Sequence, residues 1–254
     1  MTKSLILLHL SMKQSMRILS LTTLFIFSVT LLRGQENSAV VPQSREDNPT
    51  WVARHQLLVE RAKTNPEVVF FGDSITELWE DFGSEGKPIW KERYAPLHAA
   101  NFGISADKTQ NILWRLQNGE MPEGSHPKVA VILAGTNNIY TNNAQQIGEG
   151  VGAIAHEILK RSPDTKILIL GVFPRAEQPT NSDRKLVADM NGYISKLDDH
   201  KSIFYLDFGS KFLQPDGTIS KDTMTDFIHP TGKGFQIWAD GMQDQLMELY
   251  NSSK

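Results

Sequence analysis

Five short, mainly apolar runs punctuate this chain, at residues 68–71, 97–102, 129–133, 167–170 and 203–206. The first, second and fourth stop against Gly72, Gly103 and Gly171. Between them the apolar residues fall at helical spacing. Residues 51–63 carry Val52, Leu57, Leu58 and Ala62. Residues 107–116 place Ile112, Leu113 and Leu116 on one face, with Asp107 as a candidate cap. Further helices are expected over residues 144–160 and 183–197, and from about Thr231 to Tyr250. A strand wet on one side alternates apolar and polar residues, whereas a continuous apolar run needs cover on both faces. The pattern therefore predicts an α/β fold: a parallel sheet with right-handed crossovers, wound doubly into one domain. Sites in such sheets form beyond the carboxyl ends of the strands.

The N-terminus follows a different logic. Lys13 and Arg17 precede an uncharged apolar run at residues 18–32, which ends at Arg33-Gly34-Gln35. A basic leader, a short apolar segment and a polar exit read as a signal peptide over residues 1–34, with an uncleaved membrane anchor as the alternative. Met12 or Met16 would give a more usual leader length than Met1. Residues 35–49 are polar and contain proline, the composition of a flexible lead-in, and residues 50–254 would form the folded domain. Removing residues 1–34 takes away Lys3, Lys13, Arg17 and Arg33 and no acid, so the formal charge moves from −3 to −7. That balance argues against nucleic acid as a partner. With no cysteine in the chain, thiolate nucleophiles and cysteine metal sites are excluded.

Four short motifs stand just past apolar runs or just before the last helix. Gly72-Asp73-Ser74-Ile75-Thr76 follows the first run; there Asp73 or Ser74 could simply cap a helix, or Ser74 could be a nucleophile whose own amide helps bind a developing anion. Asn101-Phe102-Gly103-Ile104-Ser105 follows the second, where Gly103 permits either a turn or an exposed amide. Gly135-Thr136-Asn137-Asn138 follows the third: Asn138 reads as an ordinary turn residue, while Asn137 could supply a third donor to an oxyanion. Asp226-Phe227-Ile228-His229-Pro230 precedes the last helix. A serine hydroxyl needs a base to attack, and Asp226 three residues before His229 can fix the tautomer of such a base.

Together these blocks resemble the SGNH (GDSL) hydrolase superfamily. Asn101-Phe102-Gly103-Ile104, Leu113-Trp114-Arg115-Leu116-Gln117-Asn118-Gly119-Glu120, Gly135-Thr136-Asn137-Asn138 and Gly171-Val172-Phe173-Pro174-Arg175 are most similar to the branch of platelet-activating-factor acetylhydrolase catalytic subunits and their bacterial relatives. The likeness covers about residues 65–250. It implies a three-layer α/β/α sandwich with a five-stranded parallel sheet, flavodoxin-like, and ester hydrolysis without metal or other cofactor. It also implies Ser74 as nucleophile, His229 as base and Asp226 as its partner. The oxyanion hole would comprise Ser74, Gly103 and Asn137. A homodimer is conceivable on the same ground.

Ile75, Thr136 and Ile228 adjoin the proposed reacting residues, and their branched side chains would crowd an acyl pocket toward acetyl. The expected substrate is a small acylated molecule, an acetylated carbohydrate first and a lysophospholipid or acetylated lipid second. Two other classes fit the residues less well: a binding module that lost turnover, against which the intact Ser74, Asp226 and His229 argue, and a metal phosphodiesterase, for which no His and Asp cluster stands at ligand spacing. Asp198-Asp199-His200 reads as a solvated helix end and Gly148-Glu149-Gly150-Val151-Gly152 as a closely packed helix surface. Trp51, Trp79, Trp90, Trp114 and Trp238 read mostly as core residues, although Trp79 and Trp90 bracket the segment after Ser74, where an aromatic could line a sugar or acyl site.

Overall fold

The apolar runs form β1 (Val68–Gly72), β2 (Ala99–Gly103), β3 (Val129–Leu133), β4 (Lys166–Leu170) and β5 (Ile203–Leu206), all parallel, in the order β2-β1-β3-β4-β5. The structure is a computed structural model that describes residues 36–81 and 83–253. The leader expected over residues 1–34 lies outside the described residues. Residues Asn37–Lys254 pack as one unit.

Side chains along each strand point alternately to the two faces, and the sheet separates two apolar cores accordingly. Val69, Phe71, Phe102, Ile132 and Ile169 enter one core. Helices α1 (Pro49–Ala62), α4 (Thr109–Arg115), α5 (Ala144–Arg161) and α6 (Ser182–Ile194) close it with Leu58, Ile112, Ile154 and Met190 among others. Val68, Phe70, Val131, Leu133 and Leu168 enter the other. There α2 (Ser74–Glu77), α3 (Lys87–Arg93) and α7 (Gly232–Ser252) contribute Ile75, Trp90, Trp238 and Leu246. The result is the three-layer α/β/α sandwich, with the flavodoxin-like strand order. Gly72 pairs in register with Gly103 on one side and Leu133 on the other. The first three strands thus end level, and the turns after them share one edge where strand order reverses.

Packing decides several local expectations, correcting some and bearing out others. The inward stripe of α1 is Trp51, His55, Leu58 and Ala62, while Leu57 is 65% exposed. Asp107 does not cap α4, which begins at Thr109 with that residue's amide held by Asn138 Oδ1 at 3.0 Å. Asp107 is instead wholly buried and paired with Arg115. β2 starts at Ala99 because residues 95–97 form a 3-10 turn that His98 ends in the left-handed region, φ 49°. Trp79 and Trp90 turn into the core, where Trp79 packs on Phe235 and Trp238 at 4.5 and 4.9 Å between centroids. A Cβ on Gly150 would lie 2.6 Å from Thr109 Oγ1, so the glycines of α5 allow close packing.

Residues 37–47, read above as a flexible lead-in, are strapped across α4 and α5. Ala39 is fully buried and its carbonyl accepts from Thr109 Oγ1 at 2.9 Å. Gln43 exchanges bonds with Gln110 and Asn111 at 3.1 and 2.9 Å. Arg45 reaches Asp107 at 2.9 Å. Apart from buried Ala39, these ties use backbone groups and polar ends, which is why composition does not announce them.

Candidate active site

Ser74 is the first residue of α2, whose start is fixed by the buried Asp73: its Oδ1 accepts the Ile75 amide at 3.0 Å. Ser74 Oγ stands 2.8 Å from His229 Nε2, and His229 Nδ1 stands 2.7 Å from Asp226 Oδ2. The two residues come 155 positions apart in the chain, so the sheet edge rather than local sequence brings them together. The Asp226 turn is built for this. Asp226 Oδ1 accepts the amides of Ile228 and His229 at 3.1 and 2.8 Å, Phe227 takes φ 64°, and Met224 bridges Pro230. Burial alone would raise the Asp226 carboxyl, but the amide and ring of His229 together with the Ile228 amide outweigh it and hold the group below the usual carboxylate range. An ionised Asp226 oriented this way leaves Nε2 of a neutral imidazole free to accept the serine proton.

A cleft of about 460 Å³ opens over this relay, lined by Ser74, Leu78, Ser105, Ala106, Asn137, Arg175, Ile228 and His229. Asn137 donates one Nδ2 hydrogen to the Asp107 carbonyl at 2.9 Å, which leaves the second for a ligand in the cleft. As the first helical residue, Ser74 has an amide with no intrahelical acceptor.

Gly103, expected to offer the next amide, does not. Its N–H donates to Asn101 Oδ1 at 2.8 Å, and a Cβ there would fall 2.2 Å from Glu77 N, so the glycine is required by the tight packing of β2 on α2. The exposed amide belongs to Ala106, three residues on. Among the described residues that N–H has no acceptor. Ala106 holds φ 62°, a left-handed conformation costing about 1–2 kcal/mol for a residue with a Cβ. An alanine in a loop carries no chemical signal in sequence; only its conformation and neighbours single it out.

The branched residues divide similarly. Ile228 lines the cleft, whereas Ile75 and Thr136 are 2% and 3% exposed. Ile75 joins the core beneath α2, and the Thr136 hydroxyl accepts from Arg175 at 3.1 Å. Arg175 was missed as a cleft residue; its guanidinium also binds the Thr136 carbonyl at 3.0 Å and the Tyr140 hydroxyl at 2.9 Å. Asn138, read as a turn residue, is a buried hub that donates to Thr109, Gln110 and Asn142. Asp198-Asp199-His200 forms a loop in which Asp199 Oδ1 accepts successive amides. Among the described residues no group of three His, Cys, Asp or Glu is placed to hold a metal ion.

Burial pushes the Asp73 carboxyl up to about 7. Its folded value then lies above the unfolded value near 3.8, so the folded state keeps a proton that the unfolded chain has lost. Stability therefore falls as pH rises from about 4 to about 7, by up to about 1.4 kcal/mol per pH unit. Asp73→Asn keeps an acceptor for the Ile75 amide and removes this titration. The variant's melting temperature relative to the parent is expected to rise from pH 4.5 to about pH 7 and to level off above it. A gap that stays constant over that range would contradict burial of a titrating carboxyl.

Comparison with known proteins gives a consistent result. The model of the GDSL-like Lipase/Acylhydrolase family matches residues 70–237. Platelet-activating factor acetylhydrolase IB subunit alpha2 of Homo sapiens is 37% identical over 222 residues, 85% of this chain and 93% of that protein. A GDSL-like lipase of Bacteroides thetaiotaomicron superposes with a TM-score of 0.62 at 19% identity, covering 77% of this chain and 97% of the other. Axe2, an acetylxylan esterase of Geobacillus stearothermophilus, gives 0.54 at 15% identity, covering 70% and 93%.

Proposed function

The chain belongs to the GDSL-like lipase/acylhydrolase family, and from that premise we propose that it is a serine esterase that removes short acyl groups, acetyl above all, through an acyl-enzyme. The observation that carries the reading is the continuous bond from Ser74 Oγ through the His229 ring to Asp226 at the floor of an open cleft. Ser74 Oγ attacks the ester carbonyl carbon while His229 Nε2 takes its proton. The carbonyl oxygen gains the charge and rests on the Ser74 and Ala106 amides and the Asn137 side chain. Collapse breaks the bond to the alcohol, which leaves with the proton from Nε2. Water then repeats the sequence on the acyl-serine and releases the acid.

Support for a small acyl group comes from the surroundings of Ser74. The branched side chain of Ile228 lines the cleft beside Ser74 and His229, whereas Ile75 and Thr136 are buried outside that lining and do not bear on it. For the alcohol we favour a carbohydrate, on the expected secretory leader and the acidic mature charge. Such a protein would act outside the cytoplasm, secreted or periplasmic, or tethered by an uncleaved leader. Among the described residues no helix is long and apolar enough to cross a membrane. The second reading, an acetylated lipid or lysophospholipid, is favoured by the sequence similarity to the human acetylhydrolase subunit.

A p-nitrophenyl ester series from acetate to octanoate tests the acyl side. The kcat/KM values are expected to fall by roughly 10-fold or more for each few methylenes added beyond propionate, since one methylene is worth about 1–3 kcal/mol at most. Octanoate turning over faster than acetate would overturn the small-pocket reading. Acetate release from acetylated xylo-oligomers against acetylated phospholipid then separates the two alcohols.

A further inference from the structure

Ala106 is the weak point of the proposed donor set, because a residue with a Cβ holds the left-handed conformation only where neighbours over-determine it. The residues on either side of it are held with unusual thoroughness. Ser105 gives both its amide and its hydroxyl to Glu77 Oε2, each at 2.6 Å. The Asp107 carboxylate, fully buried, takes Arg115 Nε at 2.7 Å and Trp51 Nε1 at 2.8 Å. A single nitrogen, Arg45 Nη1, joins the two flanks: it donates to the Ser105 carbonyl at 2.7 Å and to Asp107 Oδ1 at 2.9 Å. Among the described residues Arg45 is the one donor to the Ser105 carbonyl. The Asp107 carbonyl in turn orients Asn137, so both donors outside α2 hang on the same three-residue loop.

We infer that Arg45, which lies on the N-terminal strap outside the segment matched by the family model, is a positioning residue for the oxyanion donors. The inference rests on the esterase reading above. Arg45 does not line the cleft and touches no reacting atom. It fixes the peptides before and after Ala106 so that the amide between them is presented to the cleft in one orientation. Removing the guanidinium frees the Ser105 carbonyl, while Asp107 keeps Arg115 and Trp51. The loop then samples other conformations at little cost to the fold. Donors set in place before the reaction act on the transition state more than on the bound ester, so the loss falls on kcat.

The test is steady-state hydrolysis of p-nitrophenyl acetate by the full chain, its Arg45→Ala and Arg45→Lys variants, and Ser74→Ala as reference. Arg45→Ala is expected to lower kcat about 10-fold with KM within twofold and little change in melting temperature. Arg45→Lys recovers most of the rate, since one ammonium nitrogen can bridge both oxygens as Nη1 does. The inhibition constant of an aryl boronic acid, which forms a tetrahedral anionic adduct on serine, should rise by the same factor as kcat falls. A purely structural arginine would lower the melting temperature and the active fraction but leave the boronate constant of the folded enzyme unchanged, and that result would overturn the inference. So would parent-like kcat in Arg45→Ala. Failure of the esterase reading shows separately, as a parent activity that Ser74→Ala does not abolish.

Discussion

Ser74→Ala is expected to cost esterase activity about 10⁴- to 10⁶-fold in kcat, the range found when a triad nucleophile is removed and only binding and the oxyanion donors remain. The fold should be unaffected. The hydroxyl bonds to His229 Nε2 and supports no element of the scaffold. The start of α2 is held by the Asp73 carboxylate on the Ile75 amide and by Glu77 and Leu78 amides returning to Asp73 and Ser74 carbonyls. Alanine also suits a helix better than serine. The two consequences are therefore separable in one preparation: unchanged circular dichroism and melting temperature beside lost turnover of p-nitrophenyl acetate. A variant retaining more than about 1% of the parent rate would mean that another group attacks the ester, and the reading of the cleft would fall.

How much of this was legible beforehand depends on which physical force placed each residue. The strands were readable because β1, β3 and the body of β4 are buried on both faces, and such burial leaves an unbroken apolar run. The meeting of Ser74, Asp226 and His229 was readable because side-chain type and a spacing of three that one turn can close both point to it. Ala106 was not, since its contribution is a backbone amide and a dihedral angle. Gly103 attracted the assignment instead, although its missing Cβ serves the approach of Glu77. The buried chain of Arg45, Asp107, Arg115, Glu120 and His55 was equally hidden. Charged residues in a helical or loop context read as solvated, and only the fold reveals that these are gathered against the ends of β1 and β2, where Arg115 also reaches the Phe102 and Gly72 carbonyls at 3.0 and 3.2 Å. For Trp79 and Trp90 the core reading holds: their position beside Ser74 in sequence says nothing about which face of the segment they occupy, and the aromatic core under α7 took both.

Asp226→Asn isolates what the acid of the relay does. The side chain performs two tasks with two oxygens: Oδ1 accepts the Ile228 and His229 amides that shape the turn, and Oδ2 faces His229 Nδ1. Asparagine can keep the first task through its own Oδ1. Its amide nitrogen then faces Nδ1 and must donate, so Nδ1 has to be the unprotonated nitrogen and the proton moves to Nε2. An Nε2 that carries the proton cannot take one from Ser74. A loss of about 10³- to 10⁴-fold in kcat is expected at pH 7, nearer the lower figure because the Asp226 side chain is half exposed and water can compete for the new amide. KM should change little. The pH dependence has a defined sign. The Asp226 carboxyl is held below its unfolded value, so its contribution to stability is present above that value and is lost as pH falls through the lower folded one. Parent and variant should therefore differ in melting temperature at pH 7 and converge toward pH 3, while the activity gap persists throughout the neutral range where the parent carboxylate stays ionised. Asp226→Ala removes both tasks and should lose more stability than Asp226→Asn for a comparable loss of rate. Equal rates for the parent and Asp226→Asn at pH 7 would show that the imidazole needs no partner at Nδ1, and would remove Asp226 from the mechanism.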